Sequence, residues 1–332
     1  MAKLLNLIQN EWMKLWNKKG TWVMVGLMII FTSGMLFLMK WIDTQRNNWE
    51  AQPGDASISV QVDVDDSGWK ESAESDLAYT QARLSEEGLS KVERKELEGN
   101  AKVLEYRLAN SIEPIDEFSR EGLIKNPSSI SGTVLLLTVI VAAGIVASEF
   151  SQGTIKMLLT RPVKRWKILT SKFITVNLFS IFLILVGYVL YIALSMILFK
   201  SGAGQELAWN GKEVVEVSVW GKSLYMLLLS FGSVFITASF AFAVGSVFRS
   251  SSLAIGLSLF IYFTGSTITM MLSKYEVAKY LLFTHMDLTV YETGMHFIPG
   301  ISLTFSLAVV AVYIVVFLAI SYTTFIKRDV TA

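Results

Sequence analysis

Cysteine is absent from this 332-residue chain, histidine occurs twice and proline five times. Without cysteine there is no disulfide framework and no thiolate metal site. The two histidines, His285 and His296, lie outside any HExxH spacing, and Asp287 and Glu292 beside them read as solvated or structural acids. No serine sits in a GxSxG elbow, which argues against an α/β-hydrolase nucleophile. A phosphate-binding loop is missing as well. It needs Gly, four residues, Gly, Lys and Ser or Thr, and the nearest approach is Gly211-Lys212, followed by Glu213.

Charge is also scarce, at 17% of residues against about 25% in an ordinary soluble domain. It is missing altogether from six apolar runs at 21–39, 131–148, 173–199, 223–248, 252–273 and 300–326. About 20 residues of helix cross a ~30 Å hydrocarbon layer, so the runs predict an all-α membrane protein with six transmembrane helices. The first run is too long for the core of a cleavable signal, and no small-residue cleavage pattern follows Met39.

What charge there is has been sorted. Taking the segments between spans alternately, residues 1–20, 149–172, 249–251 and 327–332 hold thirteen Lys or Arg and three acids. The largest segment of the other set, 40–130, has nineteen acids and eleven basic residues. Short basic loops stay in the cytoplasm, so both termini are expected inside, with 40–130 as an extracytoplasmic domain. Basic residues at membrane edges report topology and argue against a nucleic-acid partner.

Residues 1–20 predict an amphipathic interfacial helix, with Leu4, Ile8, Trp12 and Trp16 on one side and Asn6, Asn10, Lys14 and Asn17 on the other. In 40–130 the spacing predicts two helices, 72–87 and 91–110, turning near Gly88 as an antiparallel hairpin. Two short helices with so little apolar surface need something to dock on. The outer segment 274–299 is apolar enough to dip back into the membrane before the last span. Small residues at Gly232, Ala241, Gly245, Ser246, Ala254, Gly256 and Ser258 suit close helix packing.

The cytoplasmic segment 149–172 has more pattern than topology requires. Gly153 permits a sharp turn, Thr154 can cap a short helix over 155–160, and Ile155, Leu158 and Leu159 share its apolar face. Pro162 stops it, because the residue before proline avoids helical geometry. Such a stiff apolar peg suits a groove on a partner protein or the membrane surface.

These residues carry a resemblance. Glu149, Phe150, Gly153, Thr154, Leu158, Leu159, Arg161, Pro162, Val163 and Arg165 match the cytoplasmic loop of permease subunits of bacterial ABC transporters, in the type-2 exporter (ABC-2) family. The motif covers about 25 residues, while the layout of amphipathic helix and six spans resembles that family over the whole chain. The resemblance implies that 149–172 is a coupling helix seated on a cytoplasmic ATPase, with two ATPase copies per transporter. Glu149 would hold the base of the loop, pairing with Arg165 or with the ATPase. It further implies a bacterial cytoplasmic membrane and a homodimer or a heterodimer with a related permease. ATP and Mg would be bound by the partner, with no cofactor in this chain. The insertion of residues 40–130 departs from the short link that many members have there.

Two other classes stand beside the exporter. A secondary transporter usually needs ionisable groups inside the bilayer, and the six runs have none. A non-transporting sensor subunit would use the outer domain to bind a ligand. The uncharged, aromatic-rich spans suggest, for an exporter, an amphipathic cargo such as an antimicrobial peptide, drug or lipid.

Overall fold

A computed structural model describes residues 2–50, 67–86, 88–155, 157, 163–248, 250–293, 298 and 300–327. Among them, six helices are long and apolar enough to cross a membrane, and the protein is a multi-pass, predominantly helical membrane protein. The chain forms two compact units, one of Met1–Thr32, Ser128–Leu190 and Met226–Ala332, the other of Ser33–Pro127 and Tyr191–Tyr225.

The helices are α1 (Ala2–Trp16), α2 (Lys19–Glu50), α3 (Ser67–Leu84), α4 (Lys91–Ala109), α5 (Arg120–Lys125), α6 (Ser128–Ser151), α7 (Arg165–Leu198), α8 (Val219–Val247), α9 (Ser251–Leu272), α10 (Val290–Thr293) and α11 (Leu303–Lys327). Several outrun the charge-free runs that announced them. The first span, expected over 21–39, continues as α2 to Glu50, and Lys40 donates to Asp43 at 2.8 Å one turn on. Hydrogen bonding along a helix does not stop at a charge, and such a pair supports the extension. By the same logic Lys172, expected in the loop, lies about two turns inside α7.

In the first unit α6 and α8 are the most enclosed spans. Hydroxyls join the helices: Ser131 to Ser230 at 2.8 Å, and Thr138 donating to Ser180 at 2.9 Å. Such bonds between spans are worth about 0.6–2 kcal/mol each. The described part of 274–299 is a run of short turns packed on α9 and α11. There His285 is buried, with Nδ1 2.6 Å from Ser306 Oγ and Nε2 2.9 Å from the Lys279 carbonyl. His296 lies outside the described residues.

The second unit holds the helical hairpin, with α3 starting earlier than expected. Gly88 has φ +102°, a left-handed turn, and Ser90 caps α4 with a reciprocal bond to Glu93. The surface that α4 docks on comes from an unexpected quarter. Residues 200–222 contain an antiparallel pair, β1 (Leu207–Trp209) and β2 (Val214–Glu216), in register Leu207 to Glu216. Strand β1 packs on α4, where Trp209 lies against Gly99 and Lys102 Nζ stands 4.1 Å from its ring centroid.

Glu206 anchors that β-hairpin, accepting from Lys222 at 2.5 Å and from Lys125 at 3.0 Å. Burial opposes its ionisation, but the two ammonium groups outweigh this and leave its pKa below the ordinary 4.5. A depressed folded pKa contributes stability above the ordinary value, and that stability disappears as pH falls below it. Amides of 207–216 should therefore lose hydrogen-exchange protection as the full chain is acidified below about 4.5. Glu206→Gln should start less protected and add no such acid limb. An unchanged acid limb in that variant would remove Glu206 as its cause.

Candidate functional site at the base of the 149–172 loop

The last turn of α6 directs Glu149 inward, where its side chain is 3% exposed. Lys172, only 1% exposed, reaches it from α7, donating to Glu149 Oε1 at 2.8 Å and to Glu11 Oε2 at 2.7 Å. Lys14 also donates to Glu149 Oε1, and the Thr154 hydroxyl donates to Glu149 Oε2. Four charges from α1, α6 and α7 thus form one cluster. Removing a charge from water costs several kcal/mol even after relaxation, so the cluster persists only because every buried member is paired.

The expected polar residues of α1, Asn6, Asn10, Lys14 and Asn17, are exposed as the pattern predicts, and the departure is a single acid. Glu11 turns inward with Leu15, four residues on, and both are buried. Trp12 and Trp16 do not simply rest on lipid. They meet Phe182 edge-on at 6.4 and 5.1 Å, and Trp16 meets Phe179 at 5.9 Å, binding α1 to α7.

Where the loop leaves α6, Gly153 has φ +69°, a left-handed conformation that costs other residues roughly 1–2 kcal/mol. Thr154, expected to cap the next helix, instead spends its hydroxyl on Glu149. Ile155 and Met157 are helical, the first buried and the second 74% exposed. Leu158, Leu159, Arg161 and Pro162 lie outside the described residues.

The two ends of the loop converge on the end of α11. Phe150 meets Phe325 edge-on at 6.4 Å, and Arg165 Nη1 donates to the Ile326 carbonyl at 3.1 Å. Glu149 is therefore joined to lysines and not to Arg165. Thr170 and Tyr322 share a hydrogen bond of 2.5 Å, and Ser151 Oγ accepts from the Ser251 amide at 2.8 Å. The loop is moored to α1, α7, α9 and α11. Among the described residues no group of His, Asp or Glu is placed to hold a metal.

Glu11 and Lys172 are the functional candidates that the sequence pattern did not single out, and Lys14, expected on the polar face of α1 near anionic headgroups, joins them. A signal existed. Glu11 and Glu149 are each the only acid in a basic segment, 1–20 and 149–172. An acid alone among cations at a membrane edge has a partner waiting.

With this geometry in place, the chain's relatives can be set beside it. The chain belongs to the family described as "Protein of unknown function (DUF2705)", which matches residues 122–331 and so includes the loop, its base on α6 and α7, and the helices from α6 to α11. It is 33% identical over 332 residues to "Uncharacterized protein YhcI" of Bacillus subtilis (strain 168), covering 98% of this chain and 99% of that one. It is 30% identical over 220 residues to "Uncharacterized membrane protein YdbK" of the same organism, covering 63% of this chain and 82% of the relative.

Proposed function

We propose that this member of the DUF2705 family is the membrane-spanning permease subunit of an ATP-driven ABC exporter, coupled through residues 149–172 to a separate cytoplasmic ATPase. The observation that carries this reading is the seating of the loop. Its first residues are bound by a buried ion cluster to α1 and α7, and both its ends are bound to α11.

A loop that transmits force must not dissipate it. Reversing a 99:1 distribution between inward-open and outward-open states takes about 5.5 kcal/mol of differential binding. The left-handed turn at Gly153 and the cluster at Glu149 hand a push on the peg directly to α6, α7 and α1. Leu158 and Leu159 would enter the ATPase, with Arg161, Pro162 and Arg165 bounding the peg. The chain has no phosphate-binding loop of its own, so ATP and Mg belong to the partner. The basic segments support a cytoplasmic place in a bacterial cell for both termini and the loop, with residues 40–130 on the other side of the membrane. Two permease chains and two ATPases complete the transporter, with an amphipathic cargo.

The compact second unit favours one other reading, a sensor that binds a ligand outside and has no engine. A single experiment separates the two. Tagged full-length protein is purified from gently solubilised membranes, beside the Leu158→Asp/Leu159→Asp double variant. We expect a stoichiometric ATPase with the parent and its loss with the variant. No ATPase with either chain would overturn the exporter reading and leave the sensor.

A further inference from the structure

Next to the ion cluster is a cavity of about 180 Å³ whose apolar walls are Leu15, Met24, Val141, Ile145 and Ile255. Lys14 and Lys18 also line it, and both reach solvent. Glu11 and Glu149 complete the polar lining, but Lys172 and Lys14 already engage them. Three lysines therefore stand with two carboxylates, and among the described residues Lys18 has no carboxylate of its own. Partial burial, then Lys14 and Lys172, lower the pKa of Lys18 against the weaker pull of Glu149 and Glu11. An anion beside Lys18 would relieve that penalty.

We propose that this cavity binds one anionic phospholipid, with its phosphate on Lys18 and Lys14 and the first carbons of one acyl chain among Met24, Val141, Ile145 and Ile255, the rest of the chain passing out through its open side. Charge complementarity selects the headgroup. The walls select the chain, because a free phosphate would leave an apolar cavity unfilled. Trp16 and Trp22, edge-on at 5.2 Å and next in the chain to the lining residues Leu15 and Thr21, are the residue type that marks the headgroup level of a bilayer. The lipid would sit against α1 and α6, the helices that the ion cluster joins, and would bear on the loop from its membrane side. The site stands whether or not an ATPase is coupled to the loop.

Native mass spectrometry and thermal melting of the detergent-purified full chain test it, with phosphatidylglycerol, phosphatidylcholine and inorganic phosphate as separate probes. We expect one phosphatidylglycerol per chain and a raised melting temperature with that lipid alone. Lys18→Gln should weaken phosphatidylglycerol about tenfold, the loss of one charge-assisted hydrogen bond. Gly144→Leu should do the same, because Gly144 lines the cavity and a Cβ there already touches Ile255 Cδ1 at 3.4 Å, so a longer side chain must take up the cavity's space. Equal binding of the two lipids, or a Lys18→Gln affinity within about twofold of the parent, overturns the proposal. Equal protection by inorganic phosphate overturns it too, by making the site one for a free anion. Should Gly144→Leu fail to fold, the solvent-reaching Lys18→Gln and the phosphate arm still decide.

Discussion

Lys172→Met should destabilise the protein by about 3–5 kcal/mol, the usual result of removing one partner from a buried ion pair. Met keeps most of the lysine's volume, so the loss is electrostatic. Glu149 would be left with Lys14 and Thr154, and Glu11 would lose the ammonium 2.7 Å away. Against a total stability of about 5–15 kcal/mol, this is enough to lower the yield of folded protein. Lys14→Met removes the same charge from the same carboxylate, but Lys14 is 42% exposed and Lys172 continues to hold Glu149. That variant should cost about 1 kcal/mol or less.

A double-mutant cycle isolates the pair. Glu149→Gln in the Lys172→Met background removes the orphaned charge, so the two losses should fall short of additive by about 0.5–3 kcal/mol. The measurement is the thermal midpoint in one detergent for all four proteins. Strict additivity, or a Lys172→Met midpoint equal to the parent's, would mean that the cluster is not holding the base of the loop.

How much of this was legible in the residues depends on distance along the chain. The spans could be read because a bilayer demands long uncharged helices, and that demand is written residue by residue. The α3–α4 hairpin could be read for a similar reason: its turn at Gly88 and its cap at Ser90 with Glu93 are local. The β-hairpin could not. Strands of three residues leave no periodicity, and β1 is fixed by Trp209 packing on Gly99, more than a hundred residues earlier. The ion cluster failed for the same reason. Glu11, Glu149 and Lys172 are 138, 23 and 161 residues apart in their three pairings, so each looks like a stray charge at a membrane edge. Thr154 shows a competition that sequence cannot weigh. Its hydroxyl suits a helix cap, but a buried carboxylate within reach is the stronger acceptor.

Gly245 supports the second large prediction. A methyl group built there would stand 2.2 Å from the Ala143 carbonyl oxygen and 3.0 Å from its Cα. Those are backbone atoms of α6, which cannot rotate aside as a side chain would. Gly245→Ala should therefore force α8 away from α6 at or above the roughly 1–3 kcal/mol of ordinary overpacking. Gly256 provides the matched control, since nothing lies within 4 Å of a Cβ there. Gly256→Ala should be neutral or stabilising by up to about 1 kcal/mol, because alanine is the better helix former. The same chemical change thus has opposite signs at two positions eleven residues apart. Ala143 lies less than two turns from Glu149 on the same helix, so a shift of α6 at Gly245 also moves the carboxylate that anchors the loop. If the two alanine variants melt alike, the α6–α8 contact is not the close backbone approach described, and the ion cluster alone must fix where Glu149 stands.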